Sequence, residues 1–164
     1  MTKETYERIS APLRENERAA ESLLRLNQIM TYMGFILYPV LIVMEFVAYK
    51  SLCVRSLITA GVPFVLVSVF RYIFNQPRPY EALDIVPLIE KDTKGKSFPS
   101  RHVFSIFVIA MCWFKVSPVV GIFLFVGGVF MAVMRVIGGV HYPRDVIAGA
   151  LIGIISGVIG MYII

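Results

Sequence analysis

Two apolar runs, residues 118–137 and 143–164, follow one another in this chain, and each is long enough to cross a bilayer as a helix. The short link between them is not inert. Arg135 ends the first run, His141 stands in the turn, and Asp145 opens the second run. Ionisable groups at the mouth of a membrane bundle are costly to place, so they mark a functional site by default. Any fold for the chain must therefore satisfy two demands: bury backbone polar groups in helices, and bring this charged link to a membrane face.

Composition agrees with a membrane setting. The 164 residues are 57% hydrophobic and 16% charged, and the mean hydropathy is +0.74, more apolar than a soluble domain of this size. Three further runs, 28–49, 54–74 and 101–115, bring the expected total to about five transmembrane helices. The predicted fold class is thus an all-α polytopic membrane helix bundle. Residues 1–27 are charged on one side, with Ile9, Leu13, Ala20 and Leu24 at helical spacing. They predict an amphipathic interfacial helix starting near Ser10 and Pro12, ahead of a single membrane-embedded bundle over 28–164. The charged start excludes a cleavable signal peptide in that segment. A net charge of +5 suits anionic lipid surfaces or an anionic substrate, and in so apolar a chain it argues against nucleic acid. Cys53 and Cys112 have no metal-ligand spacing and read as buried thiols.

Within the runs, Pro39 marks a kink point in the first span, and Glu45 near its end predicts an interfacial ion pair with Lys50 or Arg55. Gly149, Gly153 and Gly157 make a small-residue stripe. Close packing inside the bundle is the preferred reading, and a homodimer seam is the alternative. Residues 80–98 form the one long polar connection, carrying Glu81, Asp84, Glu90, Lys91, Asp92, Lys94 and Lys96, with Ile85, Val86, Leu88 and Ile89 placed to dip into the membrane interface.

With five spans, the ends of the second and fourth and the starts of the third and fifth share one face. Topology alone then gathers Arg71, Arg78, Ser100, His102, Arg135, His141 and Asp145. Ordinary snorkelling would explain any one of them, but not both histidines of the chain at one depth with three arginines. Arg71, Arg78 and Arg135 offer forked, permanently charged donors suited to phosphate oxygens. Ser100 precedes a helix start, where free N–H groups favour an anion. Neutral His141 can attack phosphorus, with Asp145 four residues on to hold its other ring N–H. His102 can protonate the leaving oxygen and then activate water. A metal site is the weaker reading: one carboxylate is too few for magnesium, and three arginines would repel zinc.

These residues form three blocks, Arg71-x6-Arg78-Pro79, Pro99-Ser100-Arg101-His102 and Met134-Arg135-x5-His141-x3-Asp145. In order, spacing and placement at helix ends they resemble the type-2 phosphatidic acid phosphatase superfamily, also called lipid phosphate phosphatases, whose signature is K-x6-R-P, P-S-G-H and S-R-x5-H-x3-D. Three positions depart from it. Arg71 stands for the lysine and keeps its charge; Arg101 stands for the glycine and adds a donor for a second phosphate; Met134 stands for the serine and removes a hydrogen bond. The resemblance implies a metal-independent enzyme with no cofactor, a phosphohistidine at His141, His102 as acid/base, and phosphate binding by Arg71, Arg78, Ser100, Arg101 and Arg135. Its implied partners are the bilayer and a membrane lipid phosphate such as phosphatidate, phosphatidylglycerol phosphate or a polyprenyl diphosphate, as in the bacterial phosphatidylglycerophosphatase and undecaprenyl-diphosphatase types. A non-catalytic lipid-phosphate binder or transporter, and a phosphoryl transferase using the same site, are the competing readings. The resemblance implies a pocket open to the outer face, as relatives in bacteria usually have, whereas thirteen of the sixteen Lys and Arg fall on the pocket side with the N-terminus, a bias that favours a cytoplasmic opening; both sides stay open.

Overall fold

The computed structural model describes residues 1–91 and 93–163; Asp92 and Ile164, expected in the polar connection and at the end of the fifth span, lie outside the described residues. Its elements are α1 (Lys3–Arg14), α2 (Glu17–Ala48), α3 (Lys50–Phe74), the single turn α4 (Pro79–Ala82), α5 (Arg101–Val116), α6 (Pro118–Ile137) and α7 (Pro143–Val158), which continues as a π-helical turn Ile159–Ile163. No strand occurs among the described residues. The all-α membrane bundle expected from the apolar runs is what forms.

Among the described residues four helices are long and apolar enough to cross a membrane: α2, α3 with its α4 extension, α6, and α7 with its π turn. Their outward residues, such as Phe35, Val47, Ile73 and Val119, are exposed apolar side chains, as a lipid-facing surface requires. The exception among the expected spans is α5. Its 16 residues rise only ~24 Å, short of a ~30 Å hydrocarbon core. It contacts α2, α3, α6 and α7, and Val103, Phe104, Ile106, Phe107, Val108 and Trp113 on it are buried. A helix apolar all round belongs inside a bundle rather than against lipid, and α5 is the axle on which the others pack.

The fit of α7 to α5 is set by the glycine stripe. A Cβ at Gly149 would stand 2.5 Å from the Ser100 carbonyl oxygen, and one at Gly153 would stand 2.6 Å from that of Phe104. The stripe is therefore used up within the chain, as the packing reading expected, and holds the start of α7 against the start of α5.

The N-terminal segment departs from expectation. In place of one helix over 4–27 there are two, parted at Glu15–Asn16, and the second runs without a break into the first span. The cause is capping: Thr2 Oγ1 accepts from Thr5 N–H, and Asn16 Oδ1 accepts from Ala19 N–H at 3.2 Å. The helix thus begins before Ser10, and Pro12 lies inside its last turns. Tyr6 is fully buried and donates to the Val86 carbonyl at 3.2 Å, with Arg14 donating to the same oxygen and to Tyr6 Oη. This face of α1 docks on the 83–91 loop, and Ile85 and Ile89 of that loop turn into the protein while Val86 stays exposed. Glu45 also differs. It is fully buried, its Oε1 accepts from Ser56 Oγ at 2.9 Å, and its Oε2 has no hydrogen-bond partner among the described residues.

Candidate active site

Each of the three blocks sits at a helix end because its own residues stop or start the helix. Asn75 closes α3 in a left-handed conformation with φ 41°, and the prolines after it cannot continue the helix. Pro79 and Pro143 occupy the first turns of α4 and α7, where a missing N–H costs nothing. In both turns a carboxylate three residues past the cap reaches back: Glu81 Oε2 accepts from Arg78 N–H at 2.8 Å, and Asp145 Oδ2 accepts from Tyr142 N–H at 3.0 Å. Ser100 caps α5, and its own N–H donates to the Asp145 carbonyl at 2.8 Å. This backbone bond ties the second block to the third.

At the centre is a buried relay. Asp145 Oδ2 accepts from Ser97 Oγ at 2.5 Å and lies 3.5 Å from His141 Nδ1, with Ser97 Oγ also 3.5 Å from that nitrogen. All three side chains are buried. With Nδ1 turned to the carboxylate, Nε2 is the nitrogen left to meet a reactant. Burial pushes the imidazole well below its ordinary pKa, to about 4; Asp145 opposes the shift, and Arg78 and Arg135 add to it. A neutral imidazole with a free lone pair is the form a nucleophile needs.

His141 and His102 line one cavity of about 450 Å³, together with Arg71, Arg78, Lys91, Lys94, Lys96 and Arg101. No carboxylate among the described residues lines it. The arginines also hold its walls. Arg71 donates to the Ser97 carbonyl at 3.1 Å and to that of Pro99; Arg78 donates to Gly95 at 3.0 Å and to Val140 at 3.2 Å. These bonds fix the segments that carry Ser97 and His141. A second cavity of about 370 Å³, mostly apolar, lies between α2, α3 and α5 and shares Arg101 and His102 with the first. Arg101 is exposed there and stands 5.3 Å over the Phe64 ring.

Of the residues expected from the sequence, Arg71, Arg78, Arg101, His102 and His141 meet at the cavity. Asp145 and Ser100 lie buried beneath it, and Ser100 Oγ has no hydrogen-bond partner among the described residues. Arg135 is placed differently: it is buried, does not line the cavity, and reaches Thr31 Oγ1 at 3.5 Å with its Nε unpartnered among the described residues. Ser97 was not foreseen. Nothing in its type or spacing separates it from other serines of a polar loop, and only the folded loop brings it to Asp145. Lys91 was read as one more loop charge, and the inward turn of Ile89 is what carries it to the cavity wall.

The structure is similar to that of Aquifex aeolicus LpxE, with 30% identity, a TM-score of 0.74, and coverage of 96% of this chain and 93% of that one. It also shares its fold with a transmembrane PAP2-type phosphatidylglycerolphosphate phosphatase from Bacillus subtilis, at 24% identity, a TM-score of 0.63, and coverage of 95% and 90%. In sequence it is 29% identical over 147 residues to an undecaprenyl-diphosphatase of Sulfolobus acidocaldarius, covering 80% of this chain and 70% of that protein. It is 28% identical over 107 residues to the bacitracin transport permease protein BcrC of Bacillus licheniformis, covering 65% of this chain and 53% of that protein. The model of the PAP2 superfamily matches residues 51–164, which include all three blocks and both cavities' shared residues, and the chain belongs to that superfamily.

Proposed function

We propose that this chain is an integral membrane phosphatase that hydrolyses lipid mono- or diphosphates through a phosphohistidine at His141. The observation that carries the reading is the meeting of two unlike cavities at His102 and Arg101. One is lined by cations and both histidines, and the other by hydrocarbon. An anionic headgroup on an apolar chain is the ligand that fills both. The names of the relatives, an undecaprenyl-diphosphatase and a phosphatidylglycerolphosphate phosphatase, support the same substrate class.

In the proposed reaction His141 Nε2 attacks phosphorus while Asp145, held by Ser97, keeps the Nδ1 proton. An N–P bond forms, the bond from phosphorus to the leaving oxygen breaks, and His102 gives that oxygen a proton. Water then attacks phosphorus, His102 takes its proton, and the N–P bond breaks to release phosphate. Arg71 and Arg78 stabilise charge on the five-coordinate phosphorus more than on the ground state, with the buried Arg135 contributing at longer range. Ser100 offers its hydroxyl and the α5 N-terminus. Six cationic side chains, and no carboxylate among the described lining residues, disfavour a metal ion, which supports a metal-independent route.

Purified protein in detergent is expected to release phosphate from such lipids in the presence of EDTA, and His141→Ala to abolish release while remaining folded. Binding without release would favour a headgroup binder or transporter. A new phospho-ester on adding an alcohol would favour transfer over hydrolysis.

A further inference from the structure

A single phosphoryl group is served by the two motif arginines on the cavity wall. The same cavity presents four further cations, Lys91, Lys94, Lys96 and Arg101, and no acidic side chain among the described residues. Three of the four have other company or freedom: Lys96 Nζ stands 4.8 Å over the Tyr72 ring, Lys94 is exposed, and Arg101 is exposed with its guanidinium over the Phe64 ring. Lys91 is different. It is half-buried and makes no hydrogen bond or ion pair among the described residues. Ile89, two residues before it, is anchored, with the side chain buried and the N–H donating to the Gly138 carbonyl at 3.2 Å. Burial, with the guanidinium charges of Arg78, Arg135, Arg71 and Arg101 added to it, lowers the Lys91 pKa to about 8. A cation held among like charges is stabilised by an anion that binds between them. Arg101 stands where the polar cavity meets the apolar groove, which is where the phosphate next to a hydrocarbon chain must pass.

We propose that Lys91 and Arg101 form a second phosphate subsite beside the His141 centre and give the enzyme a preference for lipid diphosphates over monophosphates. The subsite rests on the hydrolase reading above and refines it. The terminal phosphorus is attacked by His141, and its bond to the bridging oxygen breaks. The departing lipid monophosphate, protonated at that oxygen by His102, is held by Lys91 and Arg101 on its way to the groove. Water completes the cycle at the phosphohistidine, so the products are orthophosphate and the lipid monophosphate.

The test uses the purified full chain and one polyprenyl chain carrying either a diphosphate or a monophosphate. The ratio of kcat/KM for the two lipids is expected to favour the diphosphate, to fall about tenfold in Lys91→Gln, and to recover in Lys91→Arg. Orthophosphate and pyrophosphate as competitive inhibitors of the unsubstituted enzyme give a second measurement, independent of how well a variant folds. Pyrophosphate is expected to bind at least tenfold more tightly. Equal inhibition by the two anions, or a ratio unmoved by Lys91→Gln, overturns the subsite while leaving the hydrolase intact. Release of phosphate from neither lipid by the unsubstituted enzyme overturns the hydrolase reading, and the subsite with it.

Discussion

Ser97→Ala removes a single hydroxyl that makes the shortest contact to the Asp145 carboxylate. That carboxylate is fully buried, and its Oδ2 accepts from Ser97 Oγ at 2.5 Å and Tyr142 N–H at 3.0 Å, with His141 Nδ1 at 3.5 Å. Its Oδ1 has no hydrogen-bond partner among the described residues and lies 3.6 Å from Arg144 Nε. The serine therefore decides where Oδ2 points, and through it where the imidazole points. A hydrogen bond to a charged group is worth about 1.5–3 kcal/mol. If that orientation matters only once the phosphoryl group is in transit, kcat falls by roughly 10–150-fold, at 1.36 kcal/mol per tenfold. KM is expected to stay within a factor of about 2–3, because Ser97 does not line the cavity proposed to receive the headgroup. Steady-state phosphate release gives kcat and KM, and thermal unfolding in detergent checks the fold. A folded Ser97→Ala protein with undiminished kcat would refute the relay. So would a change confined to KM.

Two other expectations concern packing and titration. Gly149→Ala puts a methyl group 2.5 Å from the Ser100 carbonyl and should destabilise the bundle by about 1–3 kcal/mol. Gly34→Ala and Gly61→Ala, with nothing within 4 Å of the new Cβ, should be neutral or mildly stabilising on the same thermal assay. With only two histidines in the chain, NMR of labelled imidazole in the wild type and His102→Gln isolates His141. Its midpoint is expected near pH 4, so it is neutral above that pH and gains a proton only below it. A midpoint at 6 or higher would place the ring in water.

How much of this was legible in the sequence depended on what each feature rests on. Arg71, Arg78, His102 and His141 were found because helix-stopping prolines and fixed spacings tie them to span ends, and span ends are set by the bilayer. Close packing of the fifth span inside the bundle was read from Gly149, Gly153 and Gly157, because small residues at helical spacing let backbones approach in a membrane; that α5 is the partner came only from the fold. The break at Asn16 was present as an N-cap signal but masked by the continuous charge pattern around it. Glu45 misled because its chemistry suggests an ion pair at an interface, whereas the fold buries it against Ser56. Ser97 and Lys91 could not be read, because a polar loop has no period. Their places follow from long-range contacts: Tyr6 under Val86, Ile89 against Gly138, and Arg71 on the Ser97 carbonyl.

The proposed nucleophile, His141, is tested most directly by trapping it. Lipid carrying ³²P in its terminal phosphate is mixed with excess enzyme and quenched in alkali, where a phosphohistidine survives and a phosphoserine does not. Label on the wild-type polypeptide, mapped to the peptide containing His141 and missing from His141→Ala, is the expected result. Label retained by His141→Ala, or phosphate release by that variant at the wild-type rate, would contradict it.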